Sequence, residues 1–221
     1  MEMNYLFRVD IRAEATITSG GVTTWESYTY DGEGNRISVT VRGGGRLEPE
    51  TTYYVNDACS SLTHVLATTD AYGNRMESTV RGLGLIASIG EETTYFVTDA
   101  KGSVTALIQD GVVTDAYRYD AYGNLIERSG DSNNPYRYNG EAYSEETELY
   151  YQRARYMNPE TGTFISMDAY SGTTGNPVSQ HKYLYVCMSK LLEIFLNRIE
   201  IQRKYMRVYG IVRVVDKLKL L

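Results

Sequence analysis

Few side chains in this chain have the type or spacing for covalent or metal chemistry. It holds two histidines, His64 and His181, and two cysteines, Cys59 and Cys187. A metal site needs several such ligands close together, and no Cys-x-x-Cys or Cys/His cluster occurs. A lone imidazole in a strand is by default satisfied or solvated. Gly43-Gly44-Gly45 follows no strand-to-helix pattern, so it does not read as a phosphate loop. The expectation is therefore no catalytic residue, no cofactor and no metal. The chemistry that does recur is hydrogen bonding by aspartate. Tyr119-Asp120-Ala121-Tyr122-Gly123-Asn124 returns in shorter form as Asp70-Ala71-Tyr72-Gly73-Asn74, and more loosely as Tyr30-Asp31-Gly32-Glu33-Gly34-Asn35. In such a segment the aspartate accepts from the backbone of a type I turn, and the glycine takes the left-handed position.

The element that carries such a turn is the three-residue hairpin loop with a glycine bulge. Composition agrees. Among 221 residues there are 21 Tyr and 20 Gly, but only 4 Pro, 4 Phe and 1 Trp. Tyrosine suits a pleated surface with one wet edge, and glycine suits many tight turns. Larger copies align as well. Gly34–Gly43 matches Gly73–Gly82 at an offset of 39, and Thr51–Ala58 matches Thr93–Ala100 at an offset of 42. On Asp115-Ala116-Tyr117-Arg118-Tyr119 the tyrosines share one face and Ala116 and Arg118 the other. The fold class is thus all-β, with consecutive antiparallel hairpins stacked into a continuous sheet and turns at Gly34-Asn35, Gly73-Asn74, Gly123-Asn124 and Thr161-Gly162.

Charge divides the chain. Met188 to Leu221 carries eight Lys/Arg against three Asp/Glu, a net of +5, so the remainder carries −11 of the total −6. An acidic body argues against nucleic acid as a partner. From Ser189 the spacing of Leu191, Phe195 and Ile199 reads as a short basic amphipathic helix, and Ile211–Val215 as a strand. Docking on the acidic body ranks ahead of membrane contact for this tail. Met1–Arg12 does not read as a signal peptide, which leaves the compartment open.

The repeated Tyr-Asp-x-x-Gly-Asn resembles the YD repeat of the RHS family. A more specific match follows at Leu149-Tyr150-Tyr151-Gln152-Arg153-Ala154-Arg155-Tyr156-Met157-Asn158-Pro159-Glu160-Thr161-Gly162-Thr163-Phe164-Ile165-Ser166-Met167-Asp168, which is similar to the start of the RHS repeat-associated core. Read from its residues, this strip has strand spacing. Tyr150, Gln152, Ala154 and Tyr156 alternate with Tyr151, Arg153, Arg155 and Met157, which puts Arg153 and Arg155 on one face. Asn158–Gly162 follows as a turn, and Phe164 begins the return strand. The resemblance covers about Tyr28 to Val186. It divides the chain into a partial repeat (1–27), YD repeats (28–144), an incomplete core segment (145–186) and a divergent basic tail (187–221).

The resemblance implies part of a spiralling β-shell in which the core caps one end and the wall encloses a C-terminal toxin or effector. The implied partners are an enclosed polypeptide cargo or upstream RHS repeats. Export as part of a longer chain would place it outside the cell or on its surface. This chain reads as a fragment-sized member without a recognisable toxin. Two other readings are a surface adhesin or carbohydrate-binding array, using exposed tyrosine rows, and a self-cleaving core. Self-cleavage needs two carboxylates that share a proton. Asp168 matches the first acidic position, but the only later aspartate is Asp216, in an unrelated context. Asp168 is therefore expected to be a turn or hydrogen-bonding residue, and the chain not to be an enzyme.

Overall fold

Glycine-bearing turns at short intervals return each strand to its predecessor, so the chain builds a meander. The computed structural model describes residues 2–7, 12–57, 59, 62–175 and 177–185. Its large sheet contains β1 (Glu2–Phe7), β2 (Arg12–Ser19), β3 (Val22–Tyr30), β4 (Arg36–Gly43), β5 (Glu50–Asp57) and β6 (His64–Thr69). It continues with β7 (Arg75–Arg81), β8 (Leu85–Ile89), β9 (Thr93–Thr98), β10 (Val104–Gln109), β11 (Val112–Tyr119) and β12 (Leu125–Ser129). All 12 strands lie in chain order, each antiparallel to the next. A second sheet of 4 strands follows: β13 (Ala142–Ser144), β14 (Leu149–Gln152), β15 (Arg155–Asn158) and β16 (Thr163–Phe164). Among the described residues two short 3-10 turns accompany them, at Tyr138–Gly140 and Pro177–Gln180. The expected tail helix from Ser189 and the strand at Ile211–Val215 lie outside the described residues.

The aspartate turns share one construction. Oδ1 of Asp31, Asp70 and Asp120 accepts from the backbone N–H two and four residues on, at 2.8–3.0 Å. Oδ2 accepts from the amide of Asn35, Asn74 and Asn124 at 3.0, 2.8 and 2.7 Å. Gly34, Gly73 and Gly123 have φ of +84°, +83° and +94°, and the strand register shifts beside each turn. Asp99–Ser103 is a fourth copy, with Oδ1 accepting from Lys101 and Ser103 at 2.8 Å each. It lacks both the tyrosine and the asparagine, which is why the residue pattern passes over it. Gly20-Gly21 and Asp110-Gly111 form two-residue loops with every φ positive, the twist that suits tight hairpins.

The strip from Leu149 to Met157 departs from the single strand that its alternation suggests. Arg153 has φ +57°, and the chain folds back there, so that Tyr150 pairs with Met157, Tyr151 with Tyr156 and Gln152 with Arg155. The turn reverses the phase of the alternation: Tyr150 shares a face with Met157, and Tyr151 with Tyr156, whereas a continuous strand would put Tyr150 and Tyr156 on one face. Arg153 and Arg155 consequently do not share a face; each has its own partners.

The two sheets fix one another's shape. Connections from odd to even strands form one rim of the large sheet, and those from even to odd form the other. Tyr151 and Tyr150, adjacent on β14, reach the first rim at two distant places. The Tyr151 hydroxyl accepts from Arg36 N–H at the start of β4 at 3.0 Å, and the Tyr150 hydroxyl donates to Gly123 O after β11 at 2.9 Å. Seven strand spacings would separate those points by about 33 Å in a flat sheet. Neighbouring side chains span only a fraction of that, so the large sheet curls around the small one.

The core lies between them in three clusters. Ala13, Ala15, Ile17 and Tyr28 meet Leu149 and Tyr156. Leu85, Val104, Leu107 and Tyr117 meet Tyr136. Tyr138, Tyr150, Met157 and Phe164 fill the cap, the small sheet together with the segment from Asn133 that leads into it.

Position on the rim separates turns that look alike in sequence. A Cβ at Gly123 would stand 2.7 Å from the Tyr138 ring, whereas a Cβ at Gly73 meets nothing within 4 Å. Gly73→Ala is expected to cost about 1–2 kcal/mol from left-handed strain alone. Gly123→Ala is expected to cost that plus a further ~1–3 kcal/mol from the collision. Denaturant melts of the two variants check this, and equal losses would contradict the docking of this rim.

Candidate functional site: the capped rim and its cavity

The cap joins the two sequence motifs. Asn124 of the repeat turn donates to Pro159 O of the core strip at 2.8 Å. A Cβ on Gly162 would meet the Tyr122 ring at 2.7 Å. Tyr138 donates to Ala121 O at 2.6 Å, and Tyr119 lies 6.0 Å from the Tyr138 ring with its own hydroxyl buried and without a partner among the described residues. Asp120 stays in its turn, held below the usual carboxylate range because hydrogen bonds from Asn124 and the turn backbone outweigh burial. Asp70, Gly73 and Asn74 stand on the opposite rim, where Tyr72 is 90% exposed. The repeat copies thus share a turn and differ in what it touches.

The core arginines and aspartate are tied locally. Arg153 donates to Thr63 O and to Glu141, each at 2.9 Å, and lies 3.2 Å from His64 Nδ1. Burial and the charges of Arg81 and Arg153 depress the pKa of His64, leaving a neutral ring whose Nδ1 can accept. Arg155 pairs with Asp168 at 2.9 Å and stacks 3.6 Å above Phe164. Asp168 also accepts from Tyr170 N–H at 2.9 Å. That backbone bond first, then Arg155 and Lys182, lowers its pKa. Held in this way, the carboxyl is ionised over the neutral range.

Behind the cap lies a cavity of about 490 Å³ between the concave face of the large sheet and the segment from Asn133 to Tyr156. Its most distinctive members belong to no sequence motif. Glu26, 4% exposed, sits on the inward row of β3 with Thr24 and Tyr28. It accepts from the Tyr28 hydroxyl and, at 2.9 Å, from Ser144 of the cap. Burial raises its pKa, against those hydrogen bonds and the charge of Arg36. At the far side Arg46 bridges Glu146 at 2.7 Å and Glu50 at 3.3 Å. The available signal was a charge on the inward parity of an alternating strand. Among the described residues no cluster of three or more His, Cys, Asp or Glu could hold a metal.

Glu26 gives the fold a pH term of definite sign. The unfolded chain ionises this carboxyl near its ordinary value of 4.5, before the folded one does. Stability from this group is therefore full below that value and falls as pH rises towards the raised folded pKa. Glu26→Gln, which cannot titrate, is expected to lose less melting temperature than the parent between pH 4 and 7. Parallel melting curves across that range would contradict it.

Comparison with known proteins places this geometry. Residues 26–187 match the profile described as the teneurin YD-shell. The tRNA(Glu)-specific nuclease WapA of Bacillus subtilis subsp. natto is 34% identical over 191 residues, which is 83% of this chain and 8% of that protein. The tRNA nuclease WapA of B. subtilis 168 is 33% identical over the same share. Salivary gland surface protein 1 of Aedes aegypti is 36% identical over 90 residues, 36% of this chain and 3% of its own. The chain thus spans a small part of these relatives. Among solved structures, TcdB2–TccC3 without its hypervariable C-terminal region superposes with a TM-score of 0.62 at 19% identity, over 83% of this chain and 9% of that one. TcdB2–TccC3–Cdc42 superposes at 0.60, also at 19% identity, over 83% and 10%. The two solved structures share its fold, and with most of its length matched by that profile the chain belongs to the RHS/YD-repeat family, as a segment of YD-shell.

Proposed function

We propose that this segment is capped wall: a stretch of shell whose core strip closes one rim so that a longer YD-repeat chain can enclose a polypeptide cargo. The observation that carries this reading is the pair of adjacent cap tyrosines tied to both β4 and the turn after β11, which holds the sheet bent around its cap. The large sheet supports it further. Among the described residues β1 pairs only with β2, and β12 only with β11, leaving edges where further strands of a longer wall can add. The cargo is a C-terminal toxin or effector, and the wall is structural rather than catalytic. Asp168 is committed to Arg155 and Tyr170, whereas a hydrolytic carboxylate pair needs one member protonated.

Two measurements test this. A chain carrying upstream YD repeats ahead of this segment and a protease-sensitive reporter after it is expected to shield the reporter, and Tyr150→Ala is expected to weaken the shield. Equal digestion of shielded and free reporter would overturn the enclosure. The purified chain is also expected to keep all 221 residues by mass, with Asp168→Asn indistinguishable from it. Cleavage that vanishes in Asp168→Asn would restore a proteolytic role.

A further inference from the structure

The cavity behind the cap contains a buried cation whose hydrogen-bonding edge is largely unpaired among the described residues. Arg36 opens β4 and is 8% exposed, a depth at which arginine ordinarily carries a carboxylate partner. None of the ion pairs among the described residues includes it. Its guanidinium carbon lies 4.2 Å from the Tyr151 ring centre, 4.8 Å from Tyr54 and 5.7 Å from Tyr28. Stacked rings engage the flat faces of a guanidinium, while its in-plane N–H groups seek oxygen acceptors. Here Nη1 reaches the Tyr156 hydroxyl at a long 3.4 Å, and Nε has no partner among the described residues.

Arg81 repeats the pattern on the same lining. Its guanidinium carbon lies 5.3 Å from the Tyr136 ring centre, its side chain also hydrogen-bonds Tyr136, and its buried Nε lacks a partner among the described residues. The other two arginines of the cavity are committed, Arg46 to Glu50 and Glu146 and Arg153 to Glu141.

We infer that this cavity is a binding site for a carboxylate borne on an apolar or aromatic body, with the free edge of Arg36 as its anchor. A carboxylate matches the planar N–H fork. Val39 and Leu149 supply apolar wall for the body, and about 490 Å³ is ample for a phenyl-sized acid. Phosphate fits less well, because Glu26 and Glu77 line the same space and would face a dianion. The carboxylate can come from a free acid or from the C-terminus of an enclosed polypeptide. The site stands apart from the shell reading, since it needs only the two sheets as they pack here.

The test uses the full 221-residue chain, ¹⁵N-labelled, with the arginine Nε–H signals followed during titration. The probes are phenylacetate, the peptide acetyl-Gly-Gly-Phe with a free carboxylate, and inorganic phosphate. One of the two acids is expected to shift the Arg36 Nε–H signal saturably and to raise the melting temperature. Arg36→Lys, which keeps the charge and loses the fork, is expected to weaken that binding at least tenfold. If that variant does not fold, Arg81→Met serves as the second, with a several-fold loss expected. Tighter binding of the peptide identifies a polypeptide terminus as occupant, and tighter binding of phenylacetate a free acid. No saturable shift with either acid, phosphate binding tighter than both, or unchanged affinity in a folded variant would each overturn the assignment.

Discussion

Where the rim of the curled sheet is covered, its turns present backbone groups to the covering segment, and a buried carbonyl or N–H without a partner is costly. The tyrosines of the cap meet that demand. Tyr138 and Tyr150 end on the carbonyls of Ala121 and Gly123, and Tyr151 accepts the N–H of Arg36. Each ring buries apolar surface while its hydroxyl satisfies a turn. The curvature, the seating of the cap and the cavity behind it all follow from that double use of one side chain. Phenylalanine at these positions could fill the core but would leave the rim unsatisfied.

Much of the fold is written locally. Aspartate two and four residues ahead of its donors, with glycine in between, specifies a turn wherever it occurs, so the meander and most of its turns are readable residue by residue. Asp99–Ser103 shows the limit: the same geometry arises from Asp-Ala-Lys-Gly-Ser, because only the carboxylate and the left-handed glycine are essential. The fold-back at Arg153 was hidden for a different reason. This two-residue turn reverses the phase of the strand, but large apolar or aromatic residues stand on both faces before and after it, and no glycine marks it. The partners of the cap were illegible in principle, since contacts such as Asn124 to Pro159 or Tyr30 to Tyr156 depend on how far the sheet curls.

The buried charges belong to the same class of information. Inward parity of Glu26 can be read from β3, but its partner Ser144 lies 118 positions away. A charge on an inward row usually signals an error of register or a feature of tertiary structure, and here it is the latter. The hydrogen bonds of Glu26 cross from wall to cap, so its protonation state and the seating of the cap are linked.

The alternation of rims has an architectural consequence. A meander adds connections to its two rims in turn, so copies of a turn separated by an odd number of strands land on opposite rims. Asp31 and Asp70 follow β3 and β6 and are divided in this way, while Asp99 and Asp120 follow β9 and β11 and stand together under the cap. Lengthening the wall by whole hairpins keeps every turn on its own rim, whereas a single added strand would exchange the rims for everything beyond it. Growth of such a wall is therefore quantised in pairs of strands, and the turns away from the cap, such as the one carrying the exposed Tyr72, are the sites where loops can lengthen without disturbing the closure.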